Sequence, residues 1–424
     1  MITLAADATA TSMFTLAADA TATSMVTLAA DVVSLATACV EQWRETLASV
    51  SLFALAAYLV ALVRLYRRGH LALCWSLART VLLVFVGTLM TSRFLGDALG
   101  LLVLAIFVGL TWTDMAKVEV KPTGKAVLIT GCDRGLGYEF ARLFDSLGMY
   151  VFAGVLDSKS VGAATLERFG SSRLTVIQMD VRNLRQVELA ATVVEEKLRV
   201  AGIEGVWALV NNAAIFSYGE VDFIPLNQLE KVISVNVMGT IQVTQRFMHL
   251  IKAAQGRVIN MASFTGVAAV SPLGPYVISK HAFEAFSNLL RKEMRKWNVR
   301  VVVVRPMGFD TGNLNKDLVE NLIDELWDDM HPLKREEYGK MYIRNVYESL
   351  AAIPREKDFS APLAAIRAAV MSVSPKNEYH CGAFGRTLSL LNHFLPSAIT
   401  DQIIFYGPLN KQVRPKALLC KRSS

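Results

Sequence analysis

The chain has 424 residues, 53% of them hydrophobic, and a formal net charge of +7. This length exceeds one ordinary domain, and a mean hydropathy of +0.37 is high for a wholly water-soluble enzyme. Five scattered cysteines and six histidines without ligand spacing argue against a disulfide framework and a metal site, so we predict no metal. The basic residues gather beside apolar segments and in the C-terminal tail, which favours a membrane surface over nucleic acid.

A twelve-residue repeat occupies the predicted N-terminal segment, residues 1–46. The motif Thr-Leu-Ala-Ala-Asp begins at Thr3, Thr15 and Thr27. Three copies of so short a unit do not build a solenoid core, so we predict a disordered or loosely helical segment. Its acidic residues, and the lack of Lys or Arg before Arg44, argue against a mitochondrial transit peptide.

Three uncharged apolar runs follow, at residues 48–63, 80–91 and 98–112. Each is shorter than the roughly 20 residues that span a bilayer, yet none alternates with a polar face as a buried core helix would. We therefore predict a transmembrane region over residues 47–114 and a linker over residues 115–124. Three spans are preferred to two, because they place the basic residues on both flanks on the cytosolic side.

A strand, a glycine-rich turn and a helix open the predicted catalytic domain, residues 125–375. Lys125–Ile129 predicts a buried strand, and apolar spacing from Tyr138 to Leu147 predicts a helix. The turn between them has the spacing G-x-x-x-G-x-G, which brings backbone N–H groups and a positive helix end to a pyrophosphate. The candidate dinucleotide-binding residues here are Gly131, Asp133, Arg134, Gly135, Leu136 and Gly137.

Further apolar runs alternate with helical segments along this domain. Such alternation predicts an α/β fold with a Rossmann-like, doubly wound parallel sheet covered on both faces. Active-site groups should gather beyond the carboxyl ends of the strands. The predicted strands after the first are 150–156, 174–179, 206–210, 257–261 and 299–304.

Tyr276 and Lys280 lie four residues apart, and Ser263 precedes Tyr276 by thirteen residues. On a helix, Tyr276 and Lys280 share a face, where the ammonium should favour the phenolate. The tyrosine would then act as acid or base near neutral pH, and the serine hydroxyl could bind the same substrate oxygen. Together with the glycine turn, this set indicates hydride transfer.

These motifs resemble the short-chain dehydrogenase/reductase family, over roughly the last 300 residues. The resemblance implies that Asn236, Ser263, Tyr276 and Lys280 are catalytic. It also implies cofactor contacts from Tyr276 and Lys280 and from Asp180, Val181, Asn212, Ala213, Pro306 and Thr311. Two residues depart from the family pattern: Ala214 and Met307 stand where glycine is usual.

Within that family, the chain is similar to the subgroup of 3-hydroxybutyrate, retinol and oxidative hydroxysteroid dehydrogenases. The similarity rests on Thr130–Asp133, Val206–Asn212, Glu337–Tyr342 and Leu395–Asp401. It implies an enzyme that oxidises a lipophilic secondary or allylic alcohol. Together with the apolar runs and their basic flanks, we predict a membrane-bound enzyme of the endoplasmic reticulum with a cytosol-facing catalytic domain. A 3-hydroxybutyrate dehydrogenase, a mitochondrial membrane location, an inactive dinucleotide sensor or scaffold, and a homo-oligomer remain open.

Two charged residues bear on the choice of cofactor. Asp157 lies twenty residues after Gly137, where a carboxylate can bind the ribose 2′-hydroxyl and repel a 2′-phosphate. Arg134 is a basic residue of a kind found in some NADP-using relatives. We predict NAD, with NADP left possible.

An amphipathic helix is predicted after Thr311, with Leu318, Leu322, Leu326 and Met330 on one face. This face could close over a lipophilic substrate or simply pack on the core. Residues 376–424 are predicted to form a C-terminal extension with a basic tail, whose apolar residues between 394 and 405 suit a membrane or subunit contact.

Overall fold

The computed structural model describes residue 34 and residues 118–309, 316–351, 355–382, 385–405 and 415–420. From residue 118 onward these belong to one compact unit, Ala116–Ser424. None of the helices in the described ranges is long and apolar enough to cross a membrane. The N-terminal repeat, the three apolar runs and most of the basic tail lie outside the described residues.

A seven-stranded sheet with every neighbouring pair parallel forms the centre of this unit, in the order β3-β2-β1-β4-β5-β6-β7. The strands are β1 (Ala126–Thr130), β2 (Tyr150–Val155), β3 (Leu174–Gln178), β4 (Ala208–Asn211), β5 (Arg257–Met261), β6 (Arg300–Pro306) and β7 (Glu378–Cys381).

Helices connect the strands and then extend the chain beyond β6. Those up to β6 are α1 (Gly135–Ser146), α2 (Val161–Phe169), α3 (Leu184–Ala201), α4 (Leu226–Ile233), α5 (Thr240–Ala253) and α6 (Gly274–Met294). Those after it are α7 (Lys316–Asp329), α8 (Pro332–Tyr338), α9 (Lys340–Ala351), α10 (Ser360–Met371), α11 (Gly385–Phe394), α12 (Ser397–Phe405) and α13 (Lys416–Cys420). A π-helix, Ser234–Gly239, joins α4 to α5, and 3₁₀ turns lie at Phe264–Gly266 and Arg295–Trp297.

The sheet is buried on both faces, as parallel sheets are. All five residues of β1 are buried; Val127 and Ile129 belong to one apolar cluster, and Ala126 and Leu128 belong to another. Side chains alternate between the faces of a strand, so the continuous apolar run of β1 supplies both clusters. The predicted Rossmann-like parallel sheet is confirmed.

The structure corrects the predicted strands in two respects. Strand β7 was not predicted, because its sequence, Glu-Tyr-His-Cys, has neither a continuous apolar run nor a regular alternation. Strand β4 begins at Ala208 rather than Val206, because the Val206 N–H donates to the Leu250 carbonyl of α5 instead of to a neighbouring strand. The remaining predicted strands match within two residues at each end.

The helices after β6 pack on the loop that follows β4. Leu326 and Met330 are buried in an apolar cluster with Tyr218, Phe223 and Phe264. The apolar face predicted for α7 therefore contacts protein through these two residues and the partly buried Leu322; the side chain of Leu318 is outside the described set. This cluster, which we call the aromatic wall, stands beside the carboxyl ends of β4 and β5.

Candidate active site at the carboxyl edge of the sheet

The turn after β1 approaches its neighbours so closely that only glycine fits at two positions. A Cβ at Gly137 would lie 2.1 Å from the Gly131 carbonyl oxygen and 2.5 Å from Nδ2 of Asn212. Gly131 has φ +73°, and a Cβ there would lie 2.9 Å from Cα of Ala213. The turn is therefore packed against the chain that follows β4, and its backbone leads directly into α1.

Thr130, the last residue of β1, fixes that packing. Its buried hydroxyl oxygen accepts hydrogen bonds from the backbone N–H of Asn212 at 3.0 Å and of Ala213 at 2.9 Å. The Asn212 amide in turn donates to the carbonyls of Thr130 and Gly131 at 3.0 and 3.1 Å. Sequence reasoning missed Thr130 as a site residue, although a hydroxyl directly before the glycine turn was visible.

The carboxylates of Asp133 and Asp157 both accept hydrogen bonds from backbone N–H groups, whereas the sequence predicted only cofactor contacts for them. The Asp133 carboxylate accepts hydrogen bonds from the N–H groups of Leu156 and Asp157, at 2.9 and 3.0 Å, which tie the glycine turn to the end of β2. Asp157 is exposed, and its carboxylate accepts the Lys159 N–H at 2.9 Å. Arg134 is exposed beside them.

Asp180, after β3, is held by its neighbour Arg182. The guanidinium donates from Nη2 to the carboxylate at 2.7 Å and from Nε at 3.1 and 3.2 Å. The hydrogen bonds from Arg182 lower the pKa of the Asp180 carboxyl, so it is ionised at neutral pH. Val181 next to it is buried and packs on Gly239, where a Cβ would lie 2.6 Å from Cγ2 of Val181.

Tyr276 and Lys280 lie one turn apart near the start of α6, as their spacing predicted. The Lys280 ammonium is buried, donates to the Met261 carbonyl at 2.8 Å and lies 5.6 Å from the centre of the Tyr276 ring. Burial lowers the pKa of Lys280 to about 8, while the charge of Glu284 opposes that change. Lys280 is thus half or more protonated at physiological pH.

The pKa of Tyr276 differs from the sequence expectation. Burial raises it to about 12, and a side-chain hydrogen bond with Ser263 lowers it only in part. The expectation that Lys280 would bring this pKa toward neutrality was wrong for this arrangement, because the spacing of two residues does not report the desolvation of the phenol. Tyr276 is consequently a neutral phenol at physiological pH.

Asn236 lies in the π-helix Ser234–Gly239 and is almost fully buried. Its amide nitrogen donates to the Ile215 carbonyl and to the Ser279 hydroxyl, both at 3.0 Å, and its oxygen accepts the Ile215 N–H at 2.8 Å. The Ser279 hydroxyl donates to the Tyr276 carbonyl at 2.7 Å. Asn236 thereby joins the loop after β4 to the helix that carries the tyrosine, and π-bulges of this kind are frequent at functional sites.

A cavity of about 770 Å³ brings the predicted residues together. Its lining includes Gly131, Asp133, Arg134, Gly135, Leu136, Asp157, Asp180, Val181, Asn212, Ala213, Ser263, Tyr276, Lys280 and Pro306. Gly137 and Asn236 are absent from the lining; each is buried and contacts residues that line it. Thr311 lies outside the described residues. Glycine N–H groups at the start of α1 and a volume of this size fit an elongated anionic dinucleotide.

The substrate side of the cavity is apolar. The Phe216 ring lies 4.0 Å from the Tyr276 ring, centre to centre, and Phe216 lines the cavity. Behind it, Tyr218 lies 4.8 Å from Phe216 and 5.2 Å from Tyr347 of α9, so these rings extend from the tyrosine into the aromatic wall. Sequence reasoning missed Phe216, because a single aromatic residue in a loop carries no pattern.

The two departures from the family pattern are accommodated without strain. Ala214 does not take a positive φ, and it is exposed at the cavity. Met307 donates its N–H to the Cys381 carbonyl at 3.0 Å, and the following Gly308 supplies a positive φ of +76°. The glycine that permits a positive φ in the turn after β6 therefore stands one residue later than in the family pattern.

Comparisons with known proteins agree with this geometry. The model of the short chain dehydrogenase family matches residues 125–321. The chain is 35% identical over 304 residues to "D-beta-hydroxybutyrate dehydrogenase, mitochondrial" of Rattus norvegicus, which covers 70% of this chain and 87% of that protein. It is 33% identical over 339 residues to "Estradiol 17-beta-dehydrogenase 2" of Mus musculus, which covers 78% of this chain and 87% of that protein.

A crystal structure of a short chain dehydrogenase from Burkholderia cenocepacia J2315 in complex with NADP has the same fold. Its TM-score is 0.52 at 20% identity, and the match covers 67% of this chain and 99% of that chain.

The chain belongs to the short-chain dehydrogenase family. Within it, the chain falls in the subgroup that contains hydroxybutyrate, hydroxysteroid and retinol dehydrogenases, so the predicted family and subgroup are confirmed. It is an oxidoreductase that uses a nicotinamide dinucleotide, NAD or NADP.

Proposed function

We propose that the chain is an NAD-linked dehydrogenase that oxidises a lipophilic secondary or allylic alcohol, of steroid or retinoid type, to the carbonyl. The observation that carries this proposal is the aromatic ring of Phe216 on Tyr276, continued by the aromatic wall. A flat apolar substrate gains free energy from burial against such rings, whereas a small hydroxy acid has little apolar surface to bury.

The proposed chemistry assigns one task to each polar residue. NAD, when bound, supplies the acceptor for the hydride. The substrate hydroxyl lies against Ser263, which orients its oxygen. The Tyr276 phenol first gives its own proton to the relay toward solvent, and the resulting phenolate takes the substrate hydroxyl proton as the carbonyl forms. Lys280 donates hydrogen bonds to the ribose and stabilises the phenolate while the proton is transferred. Asn236 holds the loop after β4 in place and supports a proton relay to solvent.

The dinucleotide itself would lie along the lining described above. The N–H groups of the glycine turn and the start of α1 would hold its pyrophosphate. Asp157 and Asp180 would lie toward the adenosine half, and Asn212, Ala213 and Pro306 toward the nicotinamide half; a contact from Thr311 is what the family resemblance implies. The exposed carboxylate of Asp157 disfavours a 2′-phosphate, so we propose a preference for NAD.

Replacing Tyr276 by phenylalanine tests the mechanism. Tyr276→Phe removes the proton-transfer group and keeps the ring that packs on Phe216. We expect a loss of about 10²–10⁴-fold in kcat for a steroid or retinoid alcohol, with NAD affinity nearly unchanged. Tyr218→Phe is the matched control, since Tyr218 lies behind Phe216 and does not line the cavity, and it should retain activity. Near-normal turnover by Tyr276→Phe would reject the mechanism.

A 3-hydroxybutyrate dehydrogenase is the second candidate, favoured by the similarity to the Rattus norvegicus protein of that name. In this chain, Lys231 lines the cavity and offers a cation for a carboxylate. An assay that crosses NAD and NADP with steroid, retinol and 3-hydroxybutyrate separates the two candidates. Higher kcat/KM for 3-hydroxybutyrate, lost in Lys231→Met, would favour the second. Dinucleotide binding without turnover of any alcohol would instead indicate a sensor or scaffold.

We further propose that residues 47–114 anchor the enzyme in the endoplasmic reticulum membrane, with residues 125–375 as a cytosol-facing catalytic domain. The support is the apolar runs and the basic residues that flank them. The chain should stay with microsomes through an alkaline carbonate wash, and external protease should digest the catalytic domain. Protection from protease would reject the three-span topology, whereas release by carbonate would reject membrane integration. A mitochondrial location and a homo-oligomer are the alternatives that fractionation and sizing test.

A further inference from the structure

A buried ion pair lies directly behind the active site. The guanidinium of Arg305 on β6 binds both carboxylate oxygens of Glu284 on α6, with Nε–Oε1 at 2.6 Å and Nη2–Oε2 at 2.9 Å. Both residues are 5% exposed. The remaining nitrogen, Nη1, reaches Glu378 at 2.5 Å and His380 at 3.3 Å, both on β7. Such bidentate geometry is what allows a carboxylate to stay ionised away from water.

Glu284 lies one helical turn after Lys280, on the same face of α6. Its charge counteracts the effect of burial on the pKa of the Lys280 ammonium, which donates a hydrogen bond to the Met261 carbonyl. A carboxylate one helical turn away favours the protonated form of the lysine. The charge state of Lys280 therefore depends on a residue outside the cavity lining.

The Glu284 side chain also packs against the 3₁₀ turn that follows Ser263. A Cβ at Gly266 would lie 2.9 Å from Cγ of Glu284 and 3.0 Å from the Lys280 carbonyl oxygen, so this turn packs directly on the Glu284 side chain and on α6. Arg305 immediately precedes Pro306, which lines the cavity. Glu284 thus shares a helix face with Lys280 and packs on the turn that follows Ser263, and its partner Arg305 directly precedes the turn after β6.

We propose that Glu284, held by Arg305, is a positioning residue that keeps Lys280 protonated and the Ser263 turn in register with it. This inference rests on the role proposed for Lys280 in the reaction. A purely structural ion pair would contribute to stability and leave the titration of Lys280 unchanged, and this difference is what the experiment measures.

Glu284→Gln keeps the shape of the side chain and removes its charge, while Arg305 stays positive. Because a negative neighbour raises the pKa of an ammonium, its removal should lower the pKa of Lys280 by about 1 unit. The charged and titratable groups that face this lysine, directly or through the ion pair, are Tyr276, Glu284, Arg305, Glu378 and His380. We expect the alkaline limb of the kcat/KM profile to move to lower pH by the same amount.

A second readout does not depend on turnover. Acetylation of Lys280 in the full chain by limiting acetic anhydride, followed by mass spectrometry across pH, reports the fraction of neutral amine directly. In Glu284→Gln this titration should move to lower pH by about 1 unit. Glu378→Gln is the matched control, since it removes the other, half-exposed carboxylate of Arg305, and should leave the Lys280 titration in place.

The outcomes separate the two proposals. If Glu284→Gln does not fold, Glu284→Gln combined with Arg305→Gln removes the charged pair together and should still lower the Lys280 titration, by a smaller amount. An unchanged Lys280 titration in the folded variant would overturn the inference, as would an equal shift in Glu378→Gln. A shifted acetylation profile in a chain that turns over no alcohol would keep the inference and reject the proposed function.

Discussion

The cofactor side and the substrate side of the cavity differ in the kind of contact that forms them. On the cofactor side, backbone packs on backbone: the glycine turn lies on Ala213 and Asn212, and the Thr130 hydroxyl joins them. On the substrate side, side chains from distant segments meet, such as Phe216 after β4 and Tyr347 of α9. A wall of backbone tolerates no added atom, whereas a wall of side chains can change shape by substitution. One side is therefore suited to an invariant cofactor and the other to a variable substrate.

The strongest test of this contrast is a single methyl group on the cofactor side. In Gly137→Ala the Cβ would lie 2.1 Å from a carbonyl oxygen, so the turn must move or the protein must unfold. We expect dinucleotide binding to become undetectable by calorimetry. Gly385→Ala is the control, because its Cβ meets nothing closer than 3.7 Å, and it should bind normally. Normal binding by Gly137→Ala would show that the turn is not rigid.

A smaller effect is expected when the Thr130 hydroxyl is removed. Thr130→Val keeps the volume but leaves the N–H groups of Asn212 and Ala213 without their acceptor. An unsatisfied buried N–H costs about 1–3 kcal/mol, so dinucleotide Kd should rise by about 10–100-fold, with a lower melting temperature. Thr130→Ser restores the hydroxyl and should restore both measurements. Equal weakening in both variants would mean that packing, not the hydrogen bonds, holds the turn.

On the substrate side, Phe216→Ala should change selectivity rather than binding of the cofactor. Loss of the ring exposes Tyr276 and removes apolar contact area. We expect kcat/KM for a steroid or retinoid alcohol to fall by about tenfold, which corresponds to about 1.4 kcal/mol, while NAD affinity is retained. For Phe216→Leu we expect a kcat/KM between that of the native enzyme and that of Phe216→Ala. A fall in NAD affinity equal to the fall in kcat/KM would contradict the separation of the two walls.

The smallest effect concerns the exposed charges at the rim of the cofactor side. Asp157→Ala removes a carboxylate that faces solvent, so the preference for NAD over NADP should narrow by no more than about fivefold. Arg134→Ser should widen the preference for NAD over NADP by a similar factor, because it removes a cation that could bind the 2′-phosphate. The ratio of kcat/KM for the two cofactors in the three proteins decides this. A native preference for NADP that is lost in Arg134→Ser would make Arg134 the selector.

The same contrast explains what could be predicted from sequence. The glycine turn, Ser263 and the Tyr276–Lys280 pair were predicted because strand, turn and helix each have a short-range pattern. Phe216 and the pair of Glu284 with Arg305 were missed, since each has meaning only through contacts with residues far along the chain. The pKa of Tyr276 was predicted in the wrong direction, because desolvation depends on the whole surrounding fold.

The π-helix at Ser234–Gly239 has a consequence for the way the chain can be altered. It lies inside one continuous run from α4 to α5, so it amounts to one residue more than a regular α-helix needs there. Deleting a single residue on its amino-terminal side would let the helix close into ordinary i to i−4 bonding. The same deletion would turn Asn236 by roughly 100° away from Ile215 and Ser279. A regular α-helix at this segment would therefore lose the hydrogen bonds by which Asn236 joins the loop after β4 to α6.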